Sequence, residues 1–107
     1  MKRALGISDI TEKLRSLPGW ELESKGASHQ IAKNFEFSNF LDVMAFANAI
    51  ARLAERANHH PEITLSYKHC QVRWQTHDAH GITQLDFDCA AQVNALLGPT
   101  LDLQPSP

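Results

Sequence analysis

Only two cysteines, Cys70 and Cys89, are present, and they form no Cys-x-x-Cys pair, which argues against a disulfide framework and suits a reducing compartment. Both read as small core or strand residues. Long hydrophobic runs are missing too. Lys2 and Arg3 lead into none, so nothing resembles a signal peptide, no membrane association is implied, and the cytoplasm is the expected compartment. Nor is there an excess of positive charge. With a net charge of -2 and scattered Lys and Arg, the chain offers no electrostatic case for nucleic acid or an acidic membrane surface. Internal repeats and low-complexity segments are likewise absent. What is left is an ordinary globular composition, 43% apolar and 21% charged, over 107 residues. That length fits one domain, large enough to hold one core without staples.

Histidine is what the chain has in quantity. There are six, with His59 adjacent to His60 and with His77 and His80 three apart. Composition alone does not say whether they are ligands, catalysts or surface.

The apolar pattern predicts the elements that would carry them. Ser8, Asp9 and Glu12 ahead of Leu14 and Leu17 read as a capped short helix over roughly 8–17, stopped by Pro18-Gly19. Trp20 and Leu22, then Ile31, Phe35 and Phe37, alternate as a hairpin turned near Lys25-Gly26-Ala27. Ser38 is the expected N-cap of the dominant helix, whose apolar residues recur from Phe40 to about Ala57. Its apolar surface is broad, because Phe46, Ala49 and Leu53 extend the stripe of Phe40, Val43, Ala47, Ile50 and Ala54. Two readings follow: a second face for a partner subunit, or extra residues that are mostly alanine and need no partner. Pro61 ends the helix by His59 or His60. Ile63, Leu65 and Tyr67, then Cys70, Val72 and Trp74, make a second hairpin turned near Lys68-His69. Thr83 to Asp86 forms a capping box opening a helix that ends at Gly98-Pro99, with a loose tail from Thr100. The fold class is α+β, in the order α-β-β-α-β-β-α, with helices covering a four-stranded antiparallel sheet.

That order gathers the histidines. A strand of about six residues and its return, at roughly 3.3 Å per residue, end beside where the pair began. His77, closing the second hairpin, is therefore expected near His59 and His60. The Asp78-Ala79-His80-Gly81 loop crosses the same end, and Asp86 sits in the first turn of the last helix nearby. One concave rim then holds three imidazoles and a carboxylate. His59 and His60 also lie at the C-terminal end of the long helix, where the macrodipole favours a protonated imidazole. A cluster of imidazoles suits a reaction that needs one proton given and another taken.

Each residue also has a plainer reading. His59 and His60 can be a helix terminus, His77 a surface strand end, Asp86 only a cap, and Trp20 and Trp74 core. His29, His69 and His80 read as solvent-facing or loop residues. Zinc is the sharpest rival for the cluster. Adjacent histidines direct two rings onto one tetrahedral ion awkwardly, and no His-x-x-x-His marks a helix face, so the site is expected to hold no metal.

The run Glu55-Arg56-Ala57-Asn58-His59-His60-Pro61-Glu62, followed by Tyr67, Val72, Thr76-His77-Asp78, Gly81-Ile82-Thr83 and Asp86, resembles the signature of the pterin-4a-carbinolamine dehydratases. Upstream, Leu17-Pro18-Gly19-Trp20, Phe35-Glu36-Phe37, Phe40, Ala45 and Phe46 resemble the family's first strand and its strand-to-helix passage, so the likeness covers roughly residues 8–97. It implies three helices on one face of the sheet and a homodimer or homotetramer. It implies that His59, His60 and His77 are the catalytic histidines. Pro61, Thr76 and Asp78 match residues lining a pterin site, and Trp20, Glu55 and Asp86 match residues around its edge. Departures are Asn58 at an often acidic position, Ile63 for a frequent aromatic, and an unusual hairpin tip, Lys68-His69-Cys70. The implied reaction removes water from a 4a-hydroxytetrahydropterin to give a quinonoid dihydropterin, without a cofactor, recycling a tetrahydrobiopterin-type cofactor and linking the chain to an aromatic amino acid hydroxylase. The alternative is a scaffold or dimerisation protein of the same fold, which loss of the histidine motif would favour.

Overall fold

In the computed structural model, which describes residues 3–26 and 28–97, the elements follow in the expected order. They are α1 (Ile7–Leu14), β1 (Glu21–Lys25), β2 (Ser28–Glu36), α2 (Phe40–Ala57), β3 (Glu62–Leu65), β4 (His69–Trp74), a short 3-10 turn (His77–Ala79) and α3 (Gln84–Leu97). The strands form one antiparallel sheet in the order β1-β2-β4-β3. Each hairpin pairs with itself, and α2 carries the chain over the sheet so that β4 lies inside and β3 forms an edge.

Strand alternation sorts the two faces. Ile31 and Phe35 of β2 meet Trp74 and Cys70 of β4 in register, with Val72 between them, and all five are buried. Ile10 of α1, Val43, Phe46, Ile50 and Leu53 of α2, and Phe87, Ala90 and Val93 of α3 close over the same face. All three helices therefore share one core, and the other face carries Glu23, Gln30, Asn34, Gln71 and Arg73, with no helix over it among the described residues. Lys33 is the exception on the core side. Its Nζ reaches the Pro18 carbonyl and Asn94 Oδ1, both at 3.0 Å, and stands 4.6 Å from the centre of the Phe35 ring. Burial lowers its pKa. Gly19 sits at φ +87°, a backbone angle that favours glycine, and a Cβ there would displace the flexible end of Lys33.

Element ends differ from the sequence reading in local ways. α1 starts at Ile7 after Gly6, whose carbonyl accepts from Ile10 N–H, so Ser8 lies inside the helix rather than capping it, and the helix stops at Leu14. Asn39, not Ser38, caps α2: its side chain accepts from Asp42 N–H at 2.9 Å, the three-residue reach an N-cap needs. Tyr67 is not in a strand. Ser66 and His69 exchange backbone hydrogen bonds, which leaves Tyr67 and Lys68 as the two-residue loop of the second hairpin. Of the expected turn Lys25-Gly26-Ala27, Ala27 lies outside the described residues, as do Gly98-Pro99 and the tail from Thr100.

The breadth of the α2 apolar surface has an internal explanation. Phe46 and Leu53, read as part of a second face, are buried within the same chain, Phe46 against Phe35 and Phe37. The large exposed apolar residues of α2 are instead Phe40 and Leu41 in its first turn.

Candidate active site

Helix α2 ends because Asn58 adopts the left-handed conformation (φ 51°, ψ 44°), where asparagine is better tolerated than most residues. His59 N–H returns to the Ala54 carbonyl, and Pro61 then starts the chain into β3. This sharp turn separates two adjacent imidazoles. His59 goes inward and is 9% exposed, while His60 stays exposed at the rim.

Across from them, β4 runs out at Trp74. Thr76 and Gly81 then form an isolated bridge around the 3-10 turn, which holds His77 and Asp78 at the same end of the sheet. His80, at φ 57°, takes the left-handed position that closes the turn and is solvent-facing. A cavity of about 290 Å³ results, lined by Asn58, His59, His60, Thr76, His77 and Asp78.

Asp86 is the buried anchor of this rim. Fully buried in the first turn of α3, it accepts from Thr83 N–H at 2.9 Å and from Thr76 Oγ1 at 2.7 Å through Oδ2, and its Oδ1 lies 2.6 Å from His59 Nε2. Because the Thr76 hydroxyl donates to Asp86, the 2.8 Å contact between Thr83 Oγ1 and Thr76 Oγ1 runs from Thr83 to Thr76. The capping box is thus half formed: Asp86 holds the Thr83 N–H, while the Thr83 hydroxyl turns to the site. A carboxylate accepts only, so His59 Nε2 carries the proton toward Asp86 and Nδ1 is the nitrogen left for a ligand. Trp74 stacks on the same imidazole, rings 5.3 Å apart and 17° from parallel. Between the carboxylate and the indole, the ring of His59 has one orientation.

His60 has its own carboxylate. Its Nε2 lies 2.7 Å from Glu55 Oε2, one helical turn back, with both groups well exposed. Two neighbouring histidines are thus committed to different acids. Among the described residues, no group of three His, Cys, Asp or Glu side chains is arranged to hold a metal ion.

Of the residues expected at the site, His59, His60, Thr76, His77 and Asp78 share one cavity, and Pro61 lines a second beside it. Glu55 and Asp86 act behind His60 and His59. Trp20 stands apart: its indole N–H donates to Asn94 Oδ1, its ring packs edge-on to Phe35, and it lines neither cavity. Thr83 and Trp74 belong to the site although neither was expected there. Thr83 was visible as a cap and Trp74 as a core residue, and only the register of β4 against α3 shows their second roles.

Comparisons with known proteins identify the family of the chain. The family model described as Pterin 4 alpha carbinolamine dehydratase matches residues 3–96. A protein of Paracidovorax citrulli, provisionally named a pterin-4-alpha-carbinolamine dehydratase, is 41% identical over 96 residues, covering 90% of this chain and 83% of its own. One from Acidobacterium capsulatum with the same provisional name is 46% identical over 88 residues, 82% of this chain and 91% of its own. Among solved structures, a transcriptional coactivator/pterin dehydratase from Brucella melitensis superposes with a TM-score of 0.80 at 33% identity, over 88% of this chain and 98% of that one. A pterin dehydratase-like protein identified as a RuBisCO assembly factor in the alpha-carboxysome gives 0.63 at 25% identity, over 75% and 90%. With its sheet, its helices and its sequence all shared along nearly the whole length, the chain belongs to the pterin 4 alpha carbinolamine dehydratase family of hydro-lyases.

Proposed function

We propose that this chain eliminates water from a 4a-hydroxytetrahydropterin to leave the quinonoid dihydropterin, with His59 and His77 moving the protons and His60 orienting the substrate. The observation that carries this reading is the single cavity onto which all three histidines open, with His59 backed by the buried Asp86. Hydroxide is a poor leaving group, so the 4a oxygen must be protonated as the C–O bond breaks. N5 must lose its proton so that the C4a–N5 double bond forms. Each well-placed transfer contributes roughly 100- to 10,000-fold.

The roles divide by surroundings. His59 presents Nδ1 as an acceptor, and the positive charge it gains on taking the N5 proton falls beside Asp86. His77, exposed on the 3-10 turn, gives its proton to the departing oxygen. Thr76 acts through Asp86, while Asp78 and Asn58 offer an acceptor and an amide to the pterin ring. Trp20 contributes through the core. The product is a dihydropterin returned to the pool of a tetrahydrobiopterin-type cofactor, which links the chain to an aromatic amino acid hydroxylase. The cytoplasm is the compartment where we place this work.

Alanine at His59 or at His77 is expected to cut turnover of freshly generated 4a-hydroxytetrahydropterin by about 100-fold or more. The double variant should lose less than the product of the two, because groups acting together are not additive. His60→Ala should mainly raise KM. Activity should survive prolonged chelation, since proton transfer carries the reaction. Loss on chelation with recovery on adding zinc would overturn that mechanism.

A second reading is favoured by the two structural neighbours, one described as a coactivator and one as an assembly factor. A folded His59→Ala, His77→Ala protein with near-native turnover would rule out this acid–base assignment, and a wild-type protein without turnover would shift preference to a scaffold.

A further inference from the structure

Trp74 is fully buried on the core face of β4, after Cys70 and Val72, and its plainest role is to fill volume. A filler would be better made from Phe or Leu. The indole N–H is buried and meets no acceptor among the described residues, and a buried donor left unpaired weakens a fold. The indole is therefore held at this position for something its ring does.

What the ring touches is His59. The stack is close to parallel, at 17° with centres 5.3 Å apart, whereas Trp20 meets Phe35 edge-on at 70°. A parallel stack uses only the face of the imidazole. Both nitrogens lie in the ring plane, so Nε2 keeps Asp86 at 2.6 Å and Nδ1 stays free for a ligand.

A protonated His59 needs such support more than its neighbour does. His60 meets Glu55 in the open, where water stabilises charge. His59 is 9% exposed and Asp86 is fully buried. Asp86 Oδ2 already accepts from the Thr76 hydroxyl and the Thr83 N–H, so only Oδ1 faces the imidazole. The face of an indole is electron-rich. It attracts a cation within about 6 Å of its centre more strongly than the ring of Phe does, most of all where water is excluded. The other titratable groups around the stack are His60 at the end of α2 and His77 and Asp78 on the turn after β4. In the same core, burial keeps the thiols of Cys70 and Cys89 neutral, pushed up to about 11.

We propose that Trp74 is a positioning residue of the reaction, whose indole face stabilises the imidazolium that His59 becomes as it takes the N5 proton. The inference rests on the dehydratase reading, in which the N5–H electron pair becomes the C4a–N5 double bond and the hydroxyl leaves as water with the proton of His77. Charge forms on His59 only as that bond breaks. The contact therefore strengthens in the transition state and acts on kcat rather than on KM.

Trp74→Phe keeps an aromatic face, Trp74→Leu keeps none, and both lose the unpartnered N–H. Turnover of freshly generated 4a-hydroxytetrahydropterin is measured where circular dichroism shows each variant folded, since a smaller side chain in the core also lowers stability. Trp74→Leu is expected to lower kcat about tenfold with KM little changed, the scale of a desolvated cation–ring contact, and Trp74→Phe to fall between. Without the indole face the neutral imidazole gains ground. The acid limb of the pH–rate profile should then move to lower pH in Trp74→Leu, a displacement that lost packing alone would not give.

A second readout needs no turnover. A protonated imidazole against an indole quenches its emission, so the tryptophan fluorescence of the substrate-free protein should fall as the pH is lowered through the histidine range. His59→Gln should remove that step, while His60→Gln and His77→Gln keep it. Trp20, which lines neither cavity, is the constant background. A His59-dependent step in a protein without turnover keeps the indole–imidazolium contact and removes the dehydratase reading. Emission indifferent to His59, or a folded Trp74→Leu or Trp74→Phe protein with wild-type kcat and an unmoved pH profile, overturns the inference.

Discussion

His59 shows how much of a catalytic side chain's behaviour is decided by atoms that never meet a substrate. Its ring is clamped by Trp74 on one face and by Asp86 at Nε2, and Asp86 is in turn held by Thr76 and the Thr83 N–H. Asp86→Asn keeps the size but offers one acceptor where a carboxylate offers two, and its NH2 must face either His59 Nε2–H or the Thr83 and Thr76 donors. A buried polar group left badly paired costs about 1–3 kcal/mol. We expect Asp86→Asn to lower the stability by that order and to cut kcat by at least tenfold, with a changed pH–rate profile. Thermal denaturation and the pH–rate profile check the two effects separately, and a variant with wild-type kcat would remove the positioning role. The cysteines bound the opposite case. Burial pushes the thiols of Cys70 and Cys89 from the usual 9.0 up to about 11, with Asp86 and Asp88 adding to the effect at Cys89. Two units leave roughly a hundredfold less thiolate near neutral pH. Neither cysteine should react with iodoacetamide at pH 8 in the native protein, and both should react after unfolding, as mass spectrometry would show. The histidine cluster itself was legible in the sequence, since strand lengths bring His77 back to His59 and His60. Which carboxylate serves which imidazole was not, because adjacent residues at a helix end diverge according to one backbone angle at Asn58.

At the scale of elements, that angle makes the end of α2 part of the site. A non-glycine residue in the left-handed region is disfavoured by about 1–2 kcal/mol, less for asparagine than for a residue with a branched side chain. Asn58→Gly should therefore be neutral or slightly stabilising. Asn58→Val should cost about 1–2 kcal/mol and raise KM, because the chain relieves the strain by moving His59 and His60 together. Chemical denaturation and steady-state kinetics on both variants test this, and equal stability of the two would show that the cap carries no strain. The other end of α2 shows why boundaries are harder to read than periodicity. Ser38 and Asn39 are both good caps, and the choice falls to Asn39 because Phe37 is tied by its N–H to the Lys68 carbonyl, which fixes where the strand lets go. Similarly, Tyr67 continues the alternation of Ile63 and Leu65, but a two-residue loop between Ser66 and His69 ends the pairing before it. In both places a contact between distant segments overrides a local pattern.

At the scale of the whole molecule, the described residues cover the sheet on one side, and the polar face they leave open adjoins the histidine rim. Among the described residues no helix is long and apolar enough to cross a membrane. The broad apolar helix was readable from the sequence, yet its partner was not. Phe46 and Leu53 look available for a second subunit until the sheet curls beneath them, and then they belong to the chain's own core. What α2 offers outward is Leu41, 81% exposed, and Phe40, 47% exposed, ahead of Ala45 and Ala51, small exposed residues along the helix. If α2 carries the contact of a homodimer or homotetramer, the assembly that the family resemblance implies, it offers this narrower strip rather than the face defined by Phe46, Ala49 and Leu53. Sedimentation at tens of micromolar, roughly the range in which a modest interface is populated, should then show an oligomer. Leu41→Glu places a charge at the most exposed apolar position without touching the core, so it should shift the equilibrium to monomer while leaving the circular dichroism spectrum unchanged. A wild-type monomer at that concentration would remove the assembly altogether. An oligomer indifferent to Leu41→Glu would move the contact off α2, and the open polar face of the sheet would be the next surface to alter.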